Sequence, residues 1–231
     1  MTLTTEESSA LLLSLRVALW SVALMLLPGI VCAWLLARGK FRGRLLLDVL
    51  IHLPLVLPPV VVGYVLLLML GRRGFVGRWL HEGLGIDVAF TWKAAAIAAA
   101  VMGFPLLVRS TRLAMELVDV RIEQAARTLR AGPLRVFLTI TLPLSAPGLL
   151  AGVVLAFARS LGEFGATITF AGNIEGVTRT LPVAIFTYTQ VPGGDGPAMR
   201  LVVVSVLLSV IALIVSEVAA RRMAHRTGAT A

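Results

Sequence analysis

The sequence predicts an all-α membrane protein of about five transmembrane helices, with the N-terminus outside and the C-terminus in the cytoplasm. Three observations lead there. Of the 231 residues, 58% are hydrophobic and 14% charged, where a soluble domain carries about a quarter charged residues; the mean hydropathy is +0.93. The apolar residues form continuous runs near the roughly 20 residues a helix needs to cross a bilayer, without the alternation of a barrel strand. Inside lipid only these two structures satisfy their own backbone. Finally, the basic residues are unevenly shared among the pieces that join the runs.

The first run, 11–37, follows the acidic start MTLTTEESS. That start lacks a basic leader and the run is too long for a signal peptide, so it reads as a retained anchor. The second run, 48–70, contains Pro54, Pro58, Pro59 and Gly63. Proline blocks a helical donor and frees a carbonyl, so Pro58, Pro59 and Gly63 are candidates for a hinge or gate; a packing distortion satisfied by neighbouring helices accounts for them equally. Gly103 and Pro105 carry the same ambiguity in the third run, 90–108. The fourth run is 147–170 and the fifth 199–219. Leu181–Val191 is too short to span and suits an outer-face or re-entrant helix. Gly71–Thr91, with RRGFVGRWLHEGLGID, suits an amphipathic outer helix or a loop on lipid headgroups, and Trp79 and Trp92 suit the outer interface. The whole chain, 1–231, reads as one membrane domain.

An odd number of spans puts the termini on opposite sides. With the N-terminus outside, the cytoplasmic pieces are 38–47, 109–146 and 220–231. They hold thirteen of the 21 basic residues: Arg38, Lys40, Arg42, Arg44, Arg109, Arg112, Arg121, Arg127, Arg130, Arg135, Arg221, Arg222 and Arg226. The outer pieces hold Arg72, Arg73, Arg78, Lys93, Arg179 and Arg200, while Arg16 and Arg159 lie inside runs. This is the positive-inside bias. It explains the net charge of +9 by topology and argues against nucleic acid as a partner.

Several chemistries find no residues to support them. There is no GxxxxGK[ST] for a nucleotide, no HExxH, no GxSxG elbow, and His52, His81 and His225 are far apart. Cys32, the single cysteine, reads as a small core residue with no metal spacing around it. No catalytic or metal-binding residue is expected.

The longest cytoplasmic piece, Arg109–Ser145, is patterned. Asp119 can cap a helix that carries Val120, Ile122, Ala126 and Leu129 among charged residues and ends at Ala131-Gly132-Pro133. A second short helix, Leu134–Thr141, is expected after it, with Pro133 in its first turn. Such a surface pair either rests on anionic lipid or docks a cytosolic partner. The segment EQAARTLRAGPLRVFLTITLP resembles the EAA loop of the inner-membrane subunits of ABC importers, EAA-x3-G-x9-I-x-L-P. The triplet falls on Gln124, Ala125 and Ala126, the Gly on Arg130, the Ile on Ile140 and the last pair on Leu142 and Pro143. Gln124 departs from the pattern beside Glu123, and Arg130 stands where glycine would let the helix turn, so the turn either stays at Arg130 or shifts two residues on, to Gly132. The resemblance implies that Asp119, Glu123 and these positions form a cytoplasmic coupling helix between the third and fourth spans, seated on an ATPase subunit.

FARSLGEFGATITFAGN, Phe157–Asn173, sets Arg159 and Glu163 near the middle of the fourth run. Ionisable groups at bilayer depth are costly, at least ~2.5 kcal/mol each, and four residues apart they can pair on one face. They either fix packing or line a water-filled path with Gly162, Gly165 and Thr167. The segment is similar to the molybdate branch of the same family, as are AGNIEGVTRTLPVAIFTYTQ and SLRVALWSVALMLLPGIVCAWLLAR, so the resemblance covers nearly the whole chain. It implies a permease moving molybdate or tungstate by alternating access in the bacterial inner membrane. The partners implied are a second copy of the chain, cytosolic ATPase subunits that use ATP and Mg, and an external molybdate-binding protein; this chain itself would bind no cofactor. Sulfate and thiosulfate permeases are similar over the same region and stay open as the alternative, and a passive anion channel is the reading from another class.

Overall fold

The computed structural model describes residues 3–226, with α1 at Thr5–Arg38, α2 at Arg44–Val56, α3 at Pro59–Leu70, α4 at Phe75–Leu84, α5 at Trp92–Glu116 and α6 at Val120–Thr128. There follow α7 at Pro133–Val136, a π-helical turn at Phe137–Thr141, α8 at Leu142–Leu144, α9 at Ala146–Leu161, α10 at Gly165–Phe170, α11 at Leu181–Thr189 and α12 at Asp195–Arg226. Among the described residues, four helical stretches are long and apolar enough to cross a membrane, and the pair α2 and α3 makes a fifth if its two halves count as one span. The backbone of the basic piece 220–231 is described to Arg226, and the side chains of Arg221, Arg222 and Arg226 lie outside the described residues.

α5 is the axis of the assembly, with α1 along one flank and α9 along another. Its sequence explains this. Ala94, Ala95, Ala96, Ala98, Ala99 and Ala100 are all buried, and side chains this short let helices approach closely, which is how helices associate where lipid removes the hydrophobic drive. α1 answers with Gly29, where an added Cβ would lie 2.7 Å from Leu107. α9 answers with Gly148 and Gly152, which face Ala114 and the Leu107 backbone of α5. Ser21 of α1 donates to Ser160 of α9 at 2.8 Å, a buried polar contact between the two flanking helices.

The spans differ from the sequence expectation: α1 starts six residues before 11 and α5 runs eight residues past 108, and the other three depart in shape or bounds. The second run does not cross straight: α2 and α3 meet at 115°, because Pro58 and Pro59 supply no donors at the join and Leu57 adopts the extended backbone that precedes proline. The fourth run begins earlier and ends earlier than 147–170. The expected second surface helix, Leu134–Thr141, is the start of a helical stretch from Pro133 to Leu161. Within it Pro143 has no N–H for the Thr139 carbonyl, and the chain widens into the π turn, where the Leu142 N–H reaches the Phe137 carbonyl. At its other end α9 stops at Gly162, and the chain restarts as α10 after a three-residue break. The fifth run starts at Asp195, four residues before 199.

At the N-terminal end of α1, Thr4 and Glu7 form a reciprocal cap. The same Glu7 is buried and accepts from Arg200 of α12 at 2.7 Å, joining the first and last spans. α11 packs between these two helices, and its Leu181 N–H donates to Ser14 at 2.7 Å. α4 lies on the surface with Phe75 and Trp79 outward. Beside it Arg72 pairs with Asp87 at 2.6 Å, and that hydrogen bond holds the Asp87 carboxyl below its ordinary range. The pair therefore persists above ordinary carboxylate pKa values and loosens as pH falls through the lowered one.

Candidate functional site

Two places collect the residues singled out above. The first is the polar insert. Asp119 caps α6 by accepting the Arg121 N–H at 2.8 Å. α6 ends in a double hydrogen bond, Arg130 N–H to the Arg127 carbonyl and Ala131 N–H to the Ala126 carbonyl, the pattern that closes a helix through a left-handed residue. That residue is Arg130, at φ +62°. Gly132 has φ −65° and caps α7 instead. The turn is therefore not displaced to Gly132; it stays at Arg130, a position that favours glycine.

Glu123 faces inward. It is 3% exposed and accepts from Arg38 at the end of α1 through Nε and Nη2, both at 3.1 Å. Thr141, the last residue of the π turn, donates to the same carboxylate at 2.8 Å, and Arg38 also donates to the Val118 carbonyl at 2.9 Å. One carboxylate thus ties α6 to the first span and to the start of the fourth. Sequence reading placed Glu123 in the insert but missed Arg38, which it counted only as topological charge. Gln124 and Ala125 are exposed, and Ala126 is half-buried. Beyond them Leu117, Val120, Ile122, Leu129 and Leu134 are all exposed, with Leu117 at 87% and Leu129 at 84%. Ile140 and Leu142 are half-buried and Pro143 is exposed.

The second place is where the two broken spans meet. An added Cβ at Gly63 of α3 would lie 2.6 Å from the Ala166 carbonyl oxygen of α10, and one at Gly165 of α10 would lie 2.8 Å from Pro59. Pro59, Gly63 and Gly165, chosen from separate stretches, therefore sit in one contact. Pro58 caps α3 beside it. Arg159 and Glu163 pair at 2.6 Å, yet they do not share a helix, since Glu163 stands in the break after α9. Its other oxygen accepts the Ala166 N–H at 2.8 Å and so caps α10. Glu163 is 2% exposed, while the Arg159 side chain keeps 29% of its surface open. Gly162 is exposed with open space where a side chain would start. Thr167 is buried and turned into the packing. The arrangement presents a partly open guanidinium at a helix break, paired with a buried carboxylate.

The family model described as the binding-protein-dependent transport system inner membrane component matches residues 29–225. The chain is 58% identical over 228 residues to the molybdenum transport system permease protein ModB of Escherichia coli (strain K12), spanning 99% of this chain and 100% of that protein. The ModB protein of Haemophilus influenzae is 52% identical over 222 residues, spanning 96% and 97%. The sulfate transport system permease protein CysT of Escherichia coli (strain K12) is 40% identical over 183 residues, 78% of this chain and 66% of that one. Among solved structures, a bacterial ABC transporter involved in import of the acidic polysaccharide alginate superposes with a TM-score of 0.73 at 14% identity, covering 95% of this chain and 80% of that one. The MetNI methionine ABC transporter gives 0.67 at 13% identity, covering 94% of each chain.

Proposed function

The chain belongs to the family of binding-protein-dependent transport system inner membrane components, and from that premise we propose that it is the permease subunit of an ATP-driven importer that carries molybdate across the bacterial inner membrane. The observation that carries this is the end-to-end identity of 58% with a molybdenum transport permease. Tungstate, of like shape and charge, is a cargo of the same class.

In this reading two copies of the chain enclose a path along their two-fold axis, an isologous arrangement. An external binding protein delivers the anion. Cytosolic ATPase subunits bind ATP and Mg and seat against α6; support comes from the matched EAA spacing and the exposed apolar residues Leu129 and Leu134. Movement of α6 passes through Glu123 to Arg38 and Thr141, and so to the first and fourth spans. The contact of Pro59 and Gly63 with Gly165 lets the broken spans shift against each other as a gate. Arg159 draws the anion and Glu163 tempers that attraction, so release stays fast.

The test is uptake into vesicles holding the permease, its ATPase and its binding protein, with labelled molybdate competed by unlabelled molybdate, tungstate or sulfate. Molybdate and tungstate are expected to compete and sulfate to fail. Competition by sulfate at equal concentration would transfer the assignment to the sulfate permeases, and uptake surviving ATP depletion would make the chain a passive channel.

A further inference from the structure

A second feature lies on the flank of α1 and α5, away from the broken spans. Arg16 of α1 stacks its guanidinium 3.9 Å from the centre of the Trp92 ring, and Trp20 packs against Trp92 with ring centres 6.0 Å apart. Lys93 follows Trp92 and is exposed, as is Arg16. Among the described residues neither cation has a carboxylate partner. Below them a cavity of about 390 Å³ is lined by Trp20, Leu24, Trp92, Lys93, Ala96 and Ile97. A second, of about 500 Å³, shares Leu24 and Ile97 and continues past Cys32 and Phe104 to the face of α2. Among the described residues, no acidic one lines either cavity.

We propose that this groove is a binding site for an anionic phospholipid, with the phosphate between Arg16 and Lys93 and one acyl chain along α5. The dimensions agree. From Lys93 to Phe104 a helix rises about 16 Å, close to half of the ~30 Å hydrocarbon layer, which is one leaflet. The chemistry agrees too: indole rings sit at the headgroup level, and Arg and Lys N–H groups make strong charge-assisted hydrogen bonds to phosphate oxygens. The stack on Trp92 holds Arg16 in place and leaves its N–H groups free to donate. An ordinary boundary lipid would need no cations.

The test follows tryptophan fluorescence of the full chain, purified with its partner subunits and relipidated in phosphatidylcholine. Trp34→Phe and Trp79→Phe leave Trp20 and Trp92 as the reporters. Brominated phosphatidylglycerol is expected to quench them at a lower mole fraction than brominated phosphatidylcholine. Arg16→Gln and Lys93→Gln should each raise the half-quenching fraction about fivefold, the worth of one cation near a charged surface, and Arg16→Lys should largely preserve it. Equal quenching by both lipids, midpoints indifferent to the glutamine variants, or no quenching because another copy covers the groove would each overturn the proposal. The readout is binding, so it stands apart from whichever anion is transported.

Discussion

Arg38 and Glu123 are separated by 85 residues, and each looks ordinary in its own stretch. Their pairing is the strongest residue-level constraint on the insert, because a buried carboxylate deprived of its partner destabilises the fold strongly, here by about 3 kcal/mol. Arg38→Met is therefore expected to lower the thermal midpoint of the purified complex and to reduce molybdate uptake per ATP hydrolysed, measured together in vesicles. Glu163 makes a contrasting case. Glu163→Gln keeps an acceptor for the Ala166 N–H, whereas Glu163→Ala loses it and should be less stable by about a further 1 kcal/mol; thermal unfolding of the two variants checks the difference. At the end of α6, Arg130→Gly should stabilise by about 1 kcal/mol by relieving a left-handed residue, while Gly132→Ala should be nearly neutral, since its φ is ordinary and nothing stands where the Cβ would go. The sequence made these positions visible, and the pairing of Arg159 with Glu163 with them, but not the pairing of Glu123 with Arg38. The spacing from Gln124 to Pro143 was legible because it is local; the Arg38 pairing and the Glu7 pairing with Arg200 were not, because tertiary packing makes them.

At the scale of elements, hydropathy exposed the spans and concealed their breaks. A run such as 48–70 keeps its apolar character through a 115° turn, since a change of direction leaves no mark on composition. Proline hinted at the turn, but only the packed structure shows what it serves, namely seating α3 on the backbone of α10. Gly63→Val should push these two helices apart. The expected result is at least a tenfold loss of uptake with the chain still inserted, checked by transport against membrane abundance; overpacking at such a contact destabilises by about 1–3 kcal/mol. The break after α9 has a similar origin, because Gly162 and Glu163 sit in an apolar sequence that reads as continuous helix.

At the scale of the whole molecule, the exposed apolar residues of the insert and the bias in basic residues make one joint prediction. Leu129→Glu should leave the chain folded in the membrane but abolish co-purification of the ATPase, because it puts a charge on the surface proposed to dock. Leu129→Cys, expressed without the ATPase, should resist a membrane-impermeant maleimide in intact cells and react in inverted vesicles. The π turn at Phe137–Thr141 adds a geometric corollary. It stores one residue more than an ordinary helical turn. Because Pro143 fixes that extra residue in place, α7 stands about 100° round and about 1.5 Å nearer along the axis to α9 than one unbroken α-helix would set it, so the proline decides which way the insert faces.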